Sequence, residues 1–336
     1  MKKAVLASAV VAALVSGSSL AATVYSSDGT ELKIGGRAEF RGDFIGSGGK
    51  EIDGTMKNKS RVRLNVGGTT EITSDLSGFG FYEAEQGVNS SADNDETDNF
   101  KQRYMYAGFE GNFGAVSVGR QDTAAAQISE MSDVTIYSGD QKAFINAGDE
   151  QINNTFVYAY DADALSLKAS LIAGEDKDTD GYGISGIYTL PMGLGFGLGY
   201  SGNDNGTGNG NGNGSATALI AGINYKMDAL YLGATYTMGD LDDKAKTEFS
   251  GVEVAAKYKL TDQFELAGLY QKQEKDATQN LTVDTADFFE LTGTYKFNKS
   301  IRTYVAYQLN NLDDVKVAGL ETQSEDSLRL GVRYDF

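Results

Sequence analysis

From Glu31 to its last residue the chain is written in long segments whose apolar and polar residues alternate, and that pattern constrains the fold more than any other feature. In the final segment Leu328, Leu330, Val332, Tyr334 and Phe336 share one face, and Arg329, Gly331, Arg333 and Asp335 share the other. Successive strand side chains point to opposite faces, so such a segment makes one apolar wall and one wet wall. Leu32, Ile34, Ala38 and Phe40 alternate in the same way with Lys33, Arg37, Glu39 and Arg41, as do Val62, Leu64 and Val66 with Arg61, Arg63 and Asn65. Sixteen such segments can be counted, from 31–44 to 326–336. Most exceed the ~5–6 residues of an ordinary soluble strand and match the roughly 9–11 that a tilted strand needs to cross a bilayer.

The connections carry a second signal. Every other one is tight, as at Thr73-Ser74-Asp75, Asn112-Phe113, Pro191-Met192-Gly193, Asp228-Ala229 and Asn298-Lys299. Those between are expected to be long and polar: Gly46–Lys59, Gly87–Asn99, Gly206–Ser215, Leu241–Glu248, Asp276–Val283 and Asp313–Glu325. Short turns at one rim and long loops at the other are the wiring of a membrane β-barrel. In hydrocarbon each unpaired backbone N–H or C=O costs several kcal/mol, so the sheet must close on itself. The expected fold is therefore all-β, a 16-stranded antiparallel transmembrane β-barrel. That many strands leave a lumen too wide for side chains to fill, and the inward charges and amides call for water there.

Residues 1–21 read as a cleaved signal peptide and 22–336 as a single barrel domain. Lys2 and Lys3 precede an apolar run, Ala4–Val15, too short to span a membrane, and Ser19-Leu20-Ala21 has small residues where a signal peptidase reads. Cleavage is expected after Ala21, with Ala22 the alternative. The chain has no Cys and no His, which excludes thiol chemistry and Ser/His or Cys/His catalysis, so no enzyme is expected. A net charge of −18, or −20 without Lys2 and Lys3, disfavours nucleic acid as a partner. The acid runs Asp93–Glu96 and Asp240–Asp243 read as solvated loops, and neither a metal nor a cofactor is expected.

One connection breaks the pattern. Gln121–Ile152, the third long loop, mixes apolar anchors (Ile128, Met131, Val134, Ile136, Phe144, Ile145) with acids (Glu130, Asp133, Asp140, Asp149, Glu150). The anchors suit a loop folded back into the lumen, where its acids line a constriction; packing over the outer mouth is the alternative. Across from it, alternation puts Arg37, Arg41, Arg61, Arg63 and Arg103 inward, with Arg120 on the next strand. Glu39, Asp43 and Glu83 are available to pair with them.

The segments VYSSDGTELKIGGRAEF, SRVRLNVGGTTEITSDLSGFGFYEAE, RYMYAGFEGNFGAVSVGR, TYKFNKSIRTYVAYQLNNLDD and LRLGVRYDF resemble, in order along the whole mature chain, the general porins of Gram-negative bacteria, in particular the OmpU-like porins of Vibrio and related marine bacteria. The resemblance implies an outer-membrane homotrimer for passive diffusion of small hydrophilic solutes and ions. It also implies contact with lipid and lipopolysaccharide. By position it places the basic side of the constriction on Arg37, Arg63 and Arg103 and the acidic side on Asp133 and Asp140. The C-terminal aromatics Tyr334 and Phe336 fall where the barrel-assembly machinery reads its signal. Two departures stand out: the family's PEFGG turn reads TIYSG, without its Glu near Ile136, and the Arg usual before the sixth strand is Gln151. With the acidic net charge, a weak lean toward cations is expected. A sugar-specific channel is disfavoured by the absence of Trp, and an adhesin or phage-receptor role would add to the channel.

Overall fold

The expected segments pair each with the next in a computed structural model that describes residues 21–46, 52, 54–88, 100–206, 214–317, 320–322 and 324–336. The strands are β1 Ala22–Ser27, β2 Thr30–Ile45, β3 Met56–Asn58, β4 Arg61–Thr73, β5 Leu76–Gly87, β6 Lys101–Gly111, β7 Gly114–Gln121, β8 Ile152–Asp161, β9 Leu165–Ile172 and β10 Gly181–Thr189. They continue with β11 Leu194–Asp204, β12 Ser215–Met227, β13 Leu230–Asp242, β14 Thr247–Lys259, β15 Phe264–Thr278, β16 Leu281–Lys296, β17 Ile301–Asn310, β18 Val315–Val317, β19 Leu320–Thr322 and β20 Ser327–Asp335. Setting aside the short β1, β3, β18 and β19, sixteen strands form one antiparallel cycle. It closes where β20 pairs with both β17 and β2. At the seam Gly36 N donates to Phe336 O at 2.8 Å and Phe336 N donates to Gly36 O at 3.0 Å. Glycine is required there, since a Cβ on Gly36 would stand 2.3 Å from the Arg63 carbonyl oxygen and 2.9 Å from the Phe336 ring.

The apolar face of each strand points out. Ile184 is 61% and Leu291 64% exposed, whereas the inward Ser201, Gln271 and Glu253 are fully buried. That inverts a water-soluble protein and makes sense only if hydrocarbon bathes the outside. Tyr188, Tyr258, Phe297 and Tyr334 lie exposed near the short-turn rim, while Tyr225 and Phe336 are half-buried. Tyr334 and Phe336 pack together with ring centroids 5.7 Å apart.

The tight turns fall where the alternation predicts. Two of the expected long loops do not: β13 and β14 leave only 243–246 between them, and β15 and β16 only 279–280. The ladder continues into polar sequence because cross-strand partners hold it. Lys272 lies 3.6 Å from Asp284 across the pair, and the Thr282 hydroxyl donates to Asp276 at 2.7 Å. The segments Gly46–Lys59 and Asp313–Glu325 likewise contain β3 and the β18–β19 hairpin. The expected signal peptide, apart from Ala21, and the acid run 93–96 lie outside the described residues.

Candidate pore constriction

Loop 122–151 lies inside the barrel, along the inner faces of β9–β16. The wall it covers is bare by sequence. Gly197 and Gly222 present no side chain inward, and Ile128 and Met131 fill the space. A Cβ on Gly222 would meet the Met131 sulfur at 2.7 Å, and one on Gly233 would stand 2.1 Å from the Met131 carbonyl oxygen. Further along, Phe144 stacks on Phe249 with centroids 4.3 Å apart. Polar anchors fix the direction. Fully buried Glu253 accepts from Ser132 Oγ at 2.6 Å and from Gly139 N at 3.0 Å. Glu290 accepts from Thr135 Oγ1 at 2.6 Å and from the backbone N–H groups of Ile136 and Tyr137 at 3.0 Å each. Tyr137 then reaches β20, its hydroxyl 2.9 Å from Ser327 Oγ and its ring 4.3 Å from the Arg329 guanidinium.

The opposite wall, β2–β6, carries the arginines. Arg63 forms a charge-assisted pair with Glu85 through Nη2 at 2.6 Å and Nε at 2.9 Å, and lies 3.4 Å from Glu83. Arg61 takes Glu39 at 2.6 Å and reaches Glu85 at 3.4 Å. Arg37 is the least engaged of the cluster, its only ion-pair contact among the described residues being Glu85 at 4.0 Å. Arg103 donates to Glu83 at 2.9 Å. Its inward position has a cause that strict alternation lacks. Met105, Ala107 and Phe109 face the lipid, so Arg103 shares their parity; a β-bulge opposite Glu83 and Ala84 adds one residue and turns it into the lumen. Arg120 stands apart, donating to Asn153 Oδ1 at 2.8 Å and to the Gln102 carbonyl at 3.2 Å. Arg41 is inward beside Arg329, which pairs with Asp43 at 2.6 Å.

On the loop, Asp133 is exposed to the lumen, accepts from Ser138 Oγ at 2.8 Å and lies 3.7 Å from Lys142. The loop and wall atoms around it still desolvate its carboxyl and raise its pKa, against the opposing pull of Lys142 and Ser138. Asp140 sits further along, nearer β15, where Gln273 Nε2 donates to its carbonyl at 3.2 Å; burial raises its carboxyl too. Burial and the neighbouring charges of Glu150 and Glu130 push Asp122 up to about 6. Burial disfavours the Lys142 ammonium, yet Glu150, Asp133, Asp122 and Glu130 around it hold its pKa above the usual value. Lys142 is the only cation in a loop with six acids, and Glu150 lies close enough to Arg103 to act on its charge.

Alternation placed Arg37, Arg61 and Arg63 inward, as they are, while Asp133 was singled out from the loop's acids only by the resemblance. Sequence reasoning missed Glu85 as the partner shared by three arginines, Lys142 as the loop's counter-charge, and Glu253 and Glu290 as its wall anchors. A lone inward Glu on an otherwise small or apolar strand face was the available signal.

The comparisons with known proteins agree with this geometry. Residues 7–315 match the model of a family described as Gram-negative porin. Outer membrane protein U of Vibrio vulnificus is 34% identical over an alignment of 359 positions that covers all of both chains. Among solved structures, OmpF of Salmonella typhi superposes with a TM-score of 0.81 at 20% identity, covering 94% of this chain and all of that one. OmpT of Vibrio cholerae, solved in a trimer form, gives 0.70 at 19% identity, covering 92% and 100%. With a family match across most of its length and a relative 34% identical from end to end, this chain belongs to the Gram-negative porin family of the outer membrane.

Proposed function

We propose that the barrel is a water-filled channel for passive diffusion of small hydrophilic solutes and ions, narrowed where loop 122–151 faces β2–β6. The observation that carries this reading is the loop held flat against the glycine-rich wall by Glu253 and Glu290, with Asp133 left exposed to the lumen. Arg37, Arg63 and Arg103 form the basic side, and Asp133 with Asp140 further along form the acidic side. Opposed charges across a narrow aqueous gap orient water and polar solutes, and an apolar solute must displace that water.

The lean is toward cations. Glu83 and Glu85 neutralise much of the arginine wall, whereas the loop acids have one lysine among them. The homotrimer is favoured by the trimer form of the Vibrio cholerae relative. Processing after Ala21 is favoured by register: Ala22 pairs opposite Ile34 and Phe336 opposite Gly36, on the same side of β2. Tyr334 and Phe336, ending the strand that closes the barrel, suit a signal for barrel insertion, and the apolar outer wall suits lipid and lipopolysaccharide.

Planar-bilayer recording of the purified protein tests the reading. Conductance steps should come in triplets, and Asp133→Asn should move the reversal potential in a KCl gradient away from the cation value. Silent bilayers with folded protein would refute the channel. An unmoved reversal potential would remove Asp133 from the constriction.

A further inference from the structure

Below the loop, at the short-turn mouth, lies a cleft of about 530 Å³ that the constriction does not account for. Its floor comes from the ends of β14–β17 and β20, and loop residues Asp133–Ile136 roof it. Lys257, Lys296, Arg302 and Arg333 all line it. Their neutralisation is incomplete. Arg302 and Arg333 share one carboxylate, Asp335, at 2.8 and 2.6 Å. Lys296 holds Glu265 at 3.3 Å. Lys257 has no carboxylate within ion-pair distance among the described residues and lies 5.9 Å from the Tyr231 ring centroid. The two other acids of the cleft are already taken, Glu39 by Arg61 at 2.6 Å and Asp133 by Lys142 at 3.7 Å. The four cations of the cleft thus hold two carboxylates between them, Asp335 and Glu265. Hydroxyls of Thr292, Thr294 and Tyr304 add neutral polar groups.

We infer that this cleft is a subsite for small multivalent oxyanions of the phosphate class, reached from the short-turn side. Two guanidiniums on one carboxylate leave N–H donors free, in a fork geometry that suits phosphate oxygens, and two ammonium groups supply mobile point charges. The opposite mouth leans to the other sign: Asp240, Asp242, Asp243, Asp276, Asp284 and Asp287 outnumber Lys244, Lys246, Lys272 and Lys275 at the long-loop ends of β13–β16. A multivalent anion arriving from that side meets an acidic vestibule and the loop carboxylates first. The pore thereby becomes asymmetric. An oxyanion seated below the loop occupies the conduction path and is repelled from passing further.

The sidedness rests on the channel reading, so the test has two arms. In the first, inorganic pyrophosphate is titrated calorimetrically into the folded protein in detergent, which needs no open pore. In the second, it is added to either side of a bilayer in KCl. The side is assigned by an impermeant thiol reagent on Ala229→Cys, the only cysteine such a variant has. We expect binding in detergent and block from the short-turn side at concentrations about tenfold lower than from the long-loop side. Lys257→Gln with Lys296→Gln should weaken both by about tenfold while leaving the unblocked conductance in place, and Lys257→Arg with Lys296→Arg should retain both. Silent bilayers with intact, charge-dependent binding would refute the channel and leave the site standing. No binding heat would overturn the site. So would block that is equal from both sides and indifferent to the lysines.

Discussion

The two inner walls of this barrel share one alternation but bear opposite loads. On β2–β6 the inward positions are long charged side chains, Arg37, Arg61, Arg63, Glu83 and Glu85, which pair with one another and stand in the lumen. On β11–β14 they include Gly197, Gly222, Gly233 and Gly251, and a loop lies on them. A wall that carries its own charge repels cover, because covering it would desolvate the ions. A wall of glycine invites cover, because apolar side chains from elsewhere gain contacts there without displacing anything. The difference teaches which wall a loop will cover: not the charged one, but the side that surrendered its side chains.

The largest test of this contrast is to put a side chain on the bare wall. Gly233→Leu forces the Met131 backbone away, and overpacking of that kind costs about 1–3 kcal/mol. The loop should be driven toward the arginines, lowering single-channel conductance and the thermal unfolding temperature together. Normal conductance would show that the loop does not depend on this wall.

Next comes the anchor. Glu290→Ala leaves the Thr135 hydroxyl and two N–H groups without their acceptor, a loss of about 1–3 kcal/mol in the loop's hold. The barrel should still fold, while open-channel current noise rises. A quiet open channel would mean that Glu253 and the apolar anchors suffice.

A smaller effect concerns acidity. The Asp122 carboxyl, raised by burial to about 6, is mostly ionised at pH 7 and mostly protonated at pH 5. The loop therefore loses a negative charge as pH falls through that window, and cation preference, read as reversal potential, should decline. Asp122→Asn should flatten this part of the pH profile; an unchanged profile would assign the titration elsewhere.

The smallest effect is the control on the other wall's lipid side. At Gly80 on β5 the nearest atoms to an added Cβ are 3.7 and 4.0 Å away. Gly80→Ala should leave conductance and stability where they are, and a clear loss would show that small residues matter on this barrel for more than the loop's bed.

The strands were legible because alternation is a local property: Leu328 to Phe336 reads the same in the sequence and in the sheet. The inward direction of Arg37 and Arg63 followed from it. Arg103 is inward as expected, but for another reason: it shares the parity of lipid-facing Met105 and enters the lumen through a bulge set by pairing with Glu83 and Ala84. The polar segments around Asp276 and Asp242 read as loops because composition marks solvent, not backbone geometry, and cross-strand pairs extended the ladder there. The loop's apolar anchors announced that it would pack, and its partner Gly233 lies 102 residues from Met131, beyond any local pattern.

By itself the sequence determined that the chain makes long two-faced strands, apolar on one side, joined alternately by tight and longer connections. Such strands cannot leave an edge in hydrocarbon, so a closed barrel with a wet lumen follows. Only the tertiary structure decided which inward charges cancel, that Glu85 serves three arginines, and that the loop rests on glycines of β11–β14, held by Glu253 and Glu290. The physical reason is range. Side-chain alternation is set by the backbone within two residues, whereas the field across the lumen is set by groups on strands far apart in sequence, brought within a few ångströms only when the cylinder closes.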